Sequence, residues 1–140
     1  MPNDVLSLSG RGQVLAEVGQ SEKAIEDFDH ALTELNRAIA PSPEWYDWHQ
    51  QIKAFVYSGR GVALAELGES VSAMNDFDLS ITLSPENAWV YYNRAHVRDL
   101  ARDLEKARSD YETALAKKGP ALNPLRRKRA QARLAELLIR

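Results

Sequence analysis

Hydrophobic side chains recur at steps of three and four residues along nearly the whole chain, a spacing typical of amphipathic helices. In the first segment the pattern runs from Val5 through Leu8 and Leu15 to Val18, and Gly19 follows it. Glycine is common just after the last residue of a helix, so we expect the first helix to end there. Every later segment shows a comparable spacing. The pattern therefore predicts an all-α protein.

Proline, glycine and serine residues divide this pattern into about seven helices. The second is predicted to begin near Ser21, a residue type that is suited to cap a helix. The third begins after Pro41 and Ser42, and nothing in the sequence interrupts it before Gly68. A helix of that length spans roughly 37 Å at about 1.5 Å per residue. The later helices are predicted over residues 70–83, 85–101, 104–118 and 124–140, the last of them after a turn at Gly119-Pro120.

Two short sequence patterns occur three times in the chain. The first is Ser9–Gly19, which returns as Ser58–Gly68 and, less closely, as Tyr92–Arg102. The second has its three copies at 24–29, 73–78 and 107–112. The third copies follow the second at an interval of 34 residues, and the second copies follow the first at 49, which is the same interval lengthened by 15. Self-similarity at such a period indicates a repeat architecture and favours binding over catalysis.

A helix–turn–helix period of 34 residues resembles the tetratricopeptide repeat family. The resemblance is carried by small residues on both helices and by one aromatic residue in each copy: Gly12, Gly61 and Ala95; Ala24, Ala73 and Ala107; Phe28, Phe77 and Tyr111. It implies a right-handed superhelical stack of three hairpins with a C-terminal capping helix, in which the 15 extra residues lengthen helices 2 and 3. The chain then forms a single domain over 1–140, with repeats at about 5–38, 54–87 and 88–121, a helical extension at 39–53 and the capping helix at 123–140.

Residues of catalytic or metal-binding character are scattered along the chain. The histidines His30, His49 and His96 do not pair at a four-residue spacing on any helix, so they form no pair of metal ligands. The chain has no cysteine and no glycine-rich phosphate loop after a strand. Four aspartates of the repeated pattern are expected to be solvated at the helix rims: Asp27, Asp29, Asp76 and Asp78. We therefore predict a protein that is not an enzyme and that uses no metal and no cofactor.

In tetratricopeptide proteins the first helix of each hairpin lines a concave groove, so the resemblance implies a partner-binding surface along these helices. The predicted surface consists of Ser9, Gln13, Glu17, Phe55, Ser58, Val62, Glu66, Trp89, Tyr92, Asn93, His96 and Asp99. Its large aromatic residues are natural anchors for a ligand, and its acidic residues favour a ligand with Lys or Arg. The predicted function is a non-enzymatic scaffold that binds a peptide or protein segment in this groove.

This chain differs from some members of the family at the residues that would bind the end of a peptide, and the difference concerns which peptides it could bind. Members that serve as chaperone adaptors carry a clamp of Lys, Asn and Arg for the C-terminal carboxylate of a peptide. The matching positions of this chain hold Ser9, Gln13, Gly59, Trp89 and Asn93. Only Asn93 keeps the type of residue that the clamp uses, and both cations are absent. Binding of an acidic chaperone tail is therefore not expected.

The extension between the first two repeats contains two tryptophans at helical spacing. Trp45 and Trp48 lie on one predicted stripe, and Tyr46 and His49 lie on a neighbouring one. One interpretation is that the tryptophans pack on the lengthened second helix, against Leu35, Ala38 and Ile39. The other is that the four aromatic residues form a second, exposed surface for a partner or for self-association.

The net charge of −2 is unevenly distributed. Residues 1–100 hold 7 Lys and Arg against 15 Asp and Glu, whereas residues 101–140 hold 11 against 5. The last helix is the most basic segment, with Arg126, Arg127, Lys128, Arg129 and Arg133. In a stack of hairpins, a helix with a polar outer face is needed to cover the apolar face of the last hairpin. The alternative function is a self-associating structural scaffold, in which this helix or the Trp45/Trp48 extension contacts another copy.

Other partners and locations are disfavoured by the composition. A basic patch is a weak signal for nucleic acid without a recognised reading motif, and the acidic body of this chain would oppose such a ligand. No segment resembles a signal peptide or approaches the length of a membrane span. We therefore expect a cytoplasmic protein with no membrane partner.

Overall fold

The computed structural model describes residues 3–38, 42–118 and 121–139, and all regular structure in these ranges is helical. The helices are α1 (Asn3–Glu17), α2 (Ser21–Arg37), α3 (Pro43–Glu66), α4 (Ser70–Leu83), α5 (Ala88–Leu100), α6 (Leu104–Ala116) and α7 (Pro124–Ile139). The predicted all-α class is confirmed. The breaks predicted at Pro41 and Gly119-Pro120 lie outside the described residues. None of the helices in the described ranges has the length and apolar character needed to cross a bilayer.

The helices group into two compact units, Met1–Ser84 and Pro85–Arg140. The first unit contains the hairpins α1–α2 and α3–α4, and the second contains the hairpin α5–α6 followed by α7. The prediction of a single domain over the whole chain stays a prediction.

Helices 2 and 3 are lengthened as predicted. α2 has 17 residues and α3 has 24, whereas the corresponding helices of the third hairpin have 13 each. α3 begins with the Ser42 side chain accepting a hydrogen bond from the Trp45 N–H, and Pro43 occupies its first turn. The predicted capping role of Ser21 is wrong. Ser21 is the first residue of α2, and its hydroxyl donates to Glu66 Oε2 at 2.6 Å instead.

The first helix of each hairpin ends in the same backbone motif. Gly19 and Gly68 have φ angles of 81° and 83°, in the left-handed region that favours glycine. The N–H groups that follow them donate to carbonyls five residues earlier, which closes the last turn in both helices. The third copy places Arg102 at this position with a φ of 65°.

The core of the first unit is built around Phe28, whose ring lies between two glycines. A Cβ atom added to Gly12 of α1 would stand 2.9 Å from the Phe28 ring, and one added to Gly59 of α3 would stand 2.6 Å from it. A Cβ atom added to Gly61 would likewise stand 3.0 Å from the ring of Phe77 in the second hairpin. The small residues of the repeated pattern are therefore required by close packing of an aromatic ring between helices.

In the second unit α7 covers the α5–α6 hairpin. Its buried residues Ala130 and Leu137 belong to one apolar cluster with Ala95 and Tyr111. This packing agrees with the expected capping role. Leu125 and Leu138 of the same helix are exposed.

Candidate functional site

Each hairpin contains an arginine that holds an aspartate of the second helix, 16 residues further along the chain. Arg11 donates from Nε and Nη2 to the two carboxylate oxygens of Asp27, at 2.6 and 2.7 Å. The same two-point bond joins Arg60 to Asp76 and Arg94 to Asp110. Asp27 and Asp76 are buried, so the expectation that they are solvated at helix rims is wrong. The repeated arginine of the first pattern was the signal that the sequence analysis overlooked.

These pairs stabilise the charged form of both partners. The hydrogen bond from Arg11 lowers the pKa of Asp27 against the opposing effect of burial. The hydrogen bond to Asp76 raises the pKa of Arg60. The third aspartate, Asp110, also accepts a bond from Arg98 at 2.7 Å. Two-point bonds of this kind are suited to holding helices together, because they fix the position of both side chains.

Arg60 connects the two hairpins of the first unit as well. Its Nη1 atom donates to Asp29 of α2 at 2.8 Å, while Nε and Nη2 hold Asp76 of α4. One guanidinium on α3 therefore fixes both neighbouring helices. Such planar, multi-point recognition of carboxylates requires arginine and is not available to lysine.

The predicted partner-binding residues of the first unit differ in accessibility. We call the side of α1 and α3 that carries them the first-helix face of this unit. Ser9 and Ser58 are buried, and the Ser9 hydroxyl donates to the Val5 carbonyl. The accessible members of the face are Gln13, Glu17, Phe55, Val62 and Glu66. The face therefore presents apolar and acidic groups, and its two serines are structural.

The Gln13 amide nitrogen donates to Glu17 Oε1 at 3.0 Å. Glu66 accepts a hydrogen bond from Ser21 at 2.6 Å. Both acids are exposed at the C-terminal ends of α1 and α3. The two carboxylates contribute negative charge to this end of the face.

In the second unit α7 contacts both ends of the predicted surface on α5. The guanidinium of Arg126 lies 3.6 Å from the ring centre of Trp89, in cation–π contact. Arg133 donates to both oxygens of Asp99, from Nε at 2.6 Å and from Nη2 at 2.8 Å. Asp99 therefore already has a cation within its own chain, and the basic helix uses two of its arginines on its own unit.

Between these two contacts the surface of α5 carries Tyr92 and His96. Tyr92 is half-buried, with its ring edge on Tyr111 at 6.0 Å between centres, and His96 is exposed. Asn93, the one residue that matched the family clamp, is buried. The Tyr111 hydroxyl donates to Asp99 at 3.4 Å. Burial, followed by the charge of Asp99, raises the pKa of Tyr111, whereas the bond from Arg133 lowers the pKa of Asp99.

The predicted second surface is only partly exposed. His49 is buried, and its Nε2 donates to the Leu35 carbonyl of α2 at 2.6 Å. Its ring stacks on Trp45 at 4.9 Å, and Trp48 lies beside Trp45 at 5.9 Å. Tyr46 points outward. His49 therefore belongs to the α2–α3 contact and not to an exposed patch, which leaves Tyr46 with parts of the two tryptophans at the surface.

Two features of the described ranges bear on catalytic chemistry, the grouping of metal-ligating side chains and the lining of a groove. No three histidine, aspartate or glutamate side chains within them gather as a metal ion requires. A groove of about 540 Å³ between α6 and α7 is lined by Leu104, Arg108 and Leu137, among others. The rest of its lining is Glu105, Ser109 and Glu112, with no histidine beside the serine to act as its base.

The comparisons with known proteins concern the fold. No protein-family model matches this sequence, and no curated protein matches it. The structure is similar to the first TPR of Spaghetti (RPAP3) bound to the HSP90 peptide SRMEEVD, with 19% identity, a TM-score of 0.67, and coverage of 96% of this chain and 93% of that one. It is also similar to the NMR structure of the first TPR domain of human RPAP3, with 19% identity, a TM-score of 0.68, and coverage of 99% and 95%. The resemblance found in the sequence is thereby confirmed, and the chain has the tetratricopeptide-repeat fold.

Proposed function

We propose that this protein is a non-enzymatic interaction scaffold that binds a peptide or protein segment on the first helices of its hairpins. The observation that carries the proposal is the set of partly exposed anchors on these helices, Phe55 and Val62 on α3 and Tyr92 and His96 on α5. They stand on a backbone held by the two-point arginine–aspartate bonds, so little ordering is needed when a ligand binds. The similar Spaghetti domain, whose structure contains an HSP90 peptide, supports a peptide as the kind of ligand.

The charge of the first-helix face favours a ligand with basic residues. Glu17 and Glu66 stand exposed on this face in the first unit. Two of the positions that match the family clamp hold the buried Ser9 and the half-buried Trp89, which stacks with Arg126, and none of the matching positions holds a cation. An acidic tail such as SRMEEVD would bring its carboxylates to acidic side chains. We therefore propose that the partner segment combines apolar residues with Lys or Arg.

A peptide array tests this proposal with the whole chain. The array pairs each basic, aromatic-containing peptide with a copy in which Lys and Arg are replaced by Glu, and it includes SRMEEVD. We expect capture by the basic members and weak or no capture by their acidic copies. Equal capture of both sets, or preferred capture of SRMEEVD, would contradict the charge assignment.

The position of a captured peptide is then found by amide chemical shifts in the labelled chain. Shifts along α1, α3 and α5 support the first-helix assignment, whereas shifts confined to α2, α4 and α6 contradict it. Phe55→Ala is expected to weaken binding about tenfold, as is typical when an aromatic anchor is truncated. Val71→Ala is the matched control, since Val71 is an exposed residue of α4 in the same unit.

A further inference from the structure

A stripe of exposed side chains runs along α1 on a side that the proposed function does not use. Ser7, Arg11, Val14 and Val18 follow one another at steps of four, three and four residues, so they share one side of the helix. All four are exposed, with Val14 at 57% and Val18 at 63%. We call this set the α1 stripe. The two valines place exposed apolar side chains next to the charged group of Arg11.

The second repeat shows what covers the same stripe. At an offset of 49 residues, the equivalent positions on α3 are Val56, Arg60, Ala63 and Leu67. Val56 and Ala63 are fully buried in the cluster that contains Phe28 and Leu32 of α2. On α3 the positions of Val56, Arg60 and Ala63 therefore lie against the preceding hairpin, whereas Leu67, the equivalent of Val18, stays 44% exposed. The α1 stripe keeps the arginine and the two later apolar positions, has Ser7 in place of Val56, and is exposed at all four positions.

Arg60 of α3 and Arg11 of α1 occupy equivalent positions in the two repeats, and their hydrogen bonds differ at one atom. Arg60 uses Nε and Nη2 for the aspartate of its own hairpin and Nη1 for Asp29 of the preceding one. Arg11 uses the same Nε and Nη2 atoms for Asp27. Within the described ranges no carboxylate pairs with its Nη1, and the side chain is 67% exposed. Nη1 of Arg11 is therefore available to a second carboxylate, which the described residues do not supply.

The surroundings of Arg11 define the charge pattern of an occupant. A depression of about 270 Å³ beside it is lined by Asp4, Ser7, Leu8, Arg11 and His30. Asp4 lies two turns before Arg11 on the same side of the helix. A helix packed antiparallel to α1 would therefore meet a cation first and an anion two turns later along its own direction. Its complementary pattern is an acidic residue followed by a basic one.

We propose that the α1 stripe is a docking surface for an amphipathic helix of a partner protein. Apolar side chains of that helix cover Val14 and Val18, a carboxylate binds Arg11 Nη1 as Asp29 binds Arg60, and a basic residue two turns further on faces Asp4. This surface is separate from the first-helix face of the proposed function. Either can fail without the other.

A second copy of this chain is a poorer occupant. In its last hairpin the positions equivalent to Ile25 and Asp29 of α2 are Arg108 and Glu112 of α6. Arg108 would bring a cation against Arg11, and α7 already packs on α6. An apolar residue one turn before the carboxylate, as in α2, fits the stripe better.

The test uses a peptide with the sequence of α2, Ser21–Arg37, as the probe. It carries Ile25, Asp29 and Leu32 on one side, and Arg37 lies two turns after Asp29. The substitution His30→Lys, with the new side chain linked to Glu34 by a lactam bridge on the opposite side, holds the peptide helical. Added to the full, isotope-labelled chain, the peptide is expected to shift the amide signals of α1 around Arg11, Val14 and Val18.

Variants of the probe and of the chain decide the outcome. We expect Asp29→Lys in the peptide to weaken binding about tenfold, the effect of losing a charge-assisted contact. Val14→Asp with Val18→Asp in the chain is expected to weaken it similarly, whereas Val71→Asp, at an equally exposed valine, leaves it unchanged. The peptide variants require no change in the chain, so they remain decisive if a chain variant folds poorly.

Several results would overturn the proposal. They are shifts confined to α2 and α3, equal binding of the Asp29→Lys peptide, or no shift up to about 1 mM peptide, which is weaker than ordinary recognition. A dimer of the chain alone in sedimentation, lost in the Val14→Asp, Val18→Asp variant, would show that the occupant is a second copy. That result too would contradict a partner helix.

Discussion

Arg133 of α7 and Asp99 of α5 form a two-point ion pair, and they are 34 residues apart in the chain. This separation equals the interval between the second and third repeats. The contact between Arg126 and Trp89, closer to the start of both helices, shows that α5 and α7 run in the same direction. α7 therefore stands to α5 as the first helix of a following hairpin would, although it is not followed by a second helix within the described residues.

Loss of this ion pair should loosen α7. We expect Arg133→Ala to lower the melting temperature, because Asp99 would keep its charge in a partly buried position without its cation. Arg129→Ala is the matched control on an exposed position of the same helix. Thermal unfolding followed by circular dichroism measures both. Equal melting temperatures for the two variants would show that the pair does not stabilise the helix.

The free energy of unfolding should decrease at acidic pH, because arginines stabilise the charged form of two aspartates in the folded chain. Hydrogen bonds from Arg11 and Arg133 lower the pKa values of Asp27 and Asp99 in the folded chain. Their contribution is therefore complete above the ordinary aspartate pKa of about 4 and is lost as the pH falls through the lowered folded-state values. Urea unfolding from pH 7 to pH 2 checks this. Asp99→Asn should flatten the curve below about pH 4, and an unchanged slope would contradict the assignment.

The left-handed residue at the end of α5 offers a stabilising substitution. Arg102 has a φ of 65° at the position where the other two hairpins have glycine. We expect Arg102→Gly to raise the free energy of unfolding by about 1 kcal/mol, because glycine adopts this conformation without the steric cost. The reciprocal variant Gly68→Ala should lower it by a similar amount, about 1 kcal/mol. Urea denaturation of both variants measures the two changes, and a loss of stability in Arg102→Gly would refute the explanation.

The Phe28 ring leaves no room for a side chain at Gly59. Because a Cβ atom there would stand 2.6 Å from the ring, we expect Gly59→Ala to lower the free energy of unfolding by about 1–3 kcal/mol. Gly10→Ala is the control, since no atom lies within 4 Å of its added Cβ. It should instead stabilise α1 by up to about 1 kcal/mol through helix propensity. Urea denaturation separates the two, and a neutral Gly59→Ala would mean that the ring moves aside.

The sequence by itself determined the helices and their repetition. Helix boundaries depend on local features, such as the spacing of apolar residues and the glycines at 19 and 68, which act within a few residues of chain. The small residues and the aromatics of the core were also found in advance, because Gly12 and Phe28 recur together as Gly61 and Phe77. Repetition turns a contact between helices into a pattern that can be seen in a single sequence.

Only the tertiary structure decided which side of each helix is covered and by what. Ser58 and His49 proved buried, and Asp99 proved to be held by Arg133. Such facts depend on the approach of helices that are distant in the chain. A polar residue buried beside a carbonyl and one exposed to solvent have the same local sequence signature. The Arg11–Asp27 pair and the open Nη1 beside it therefore emerged from the packing, because a hydrogen bond between helices requires atoms placed within about 3 Å, which spacing along one helix does not specify.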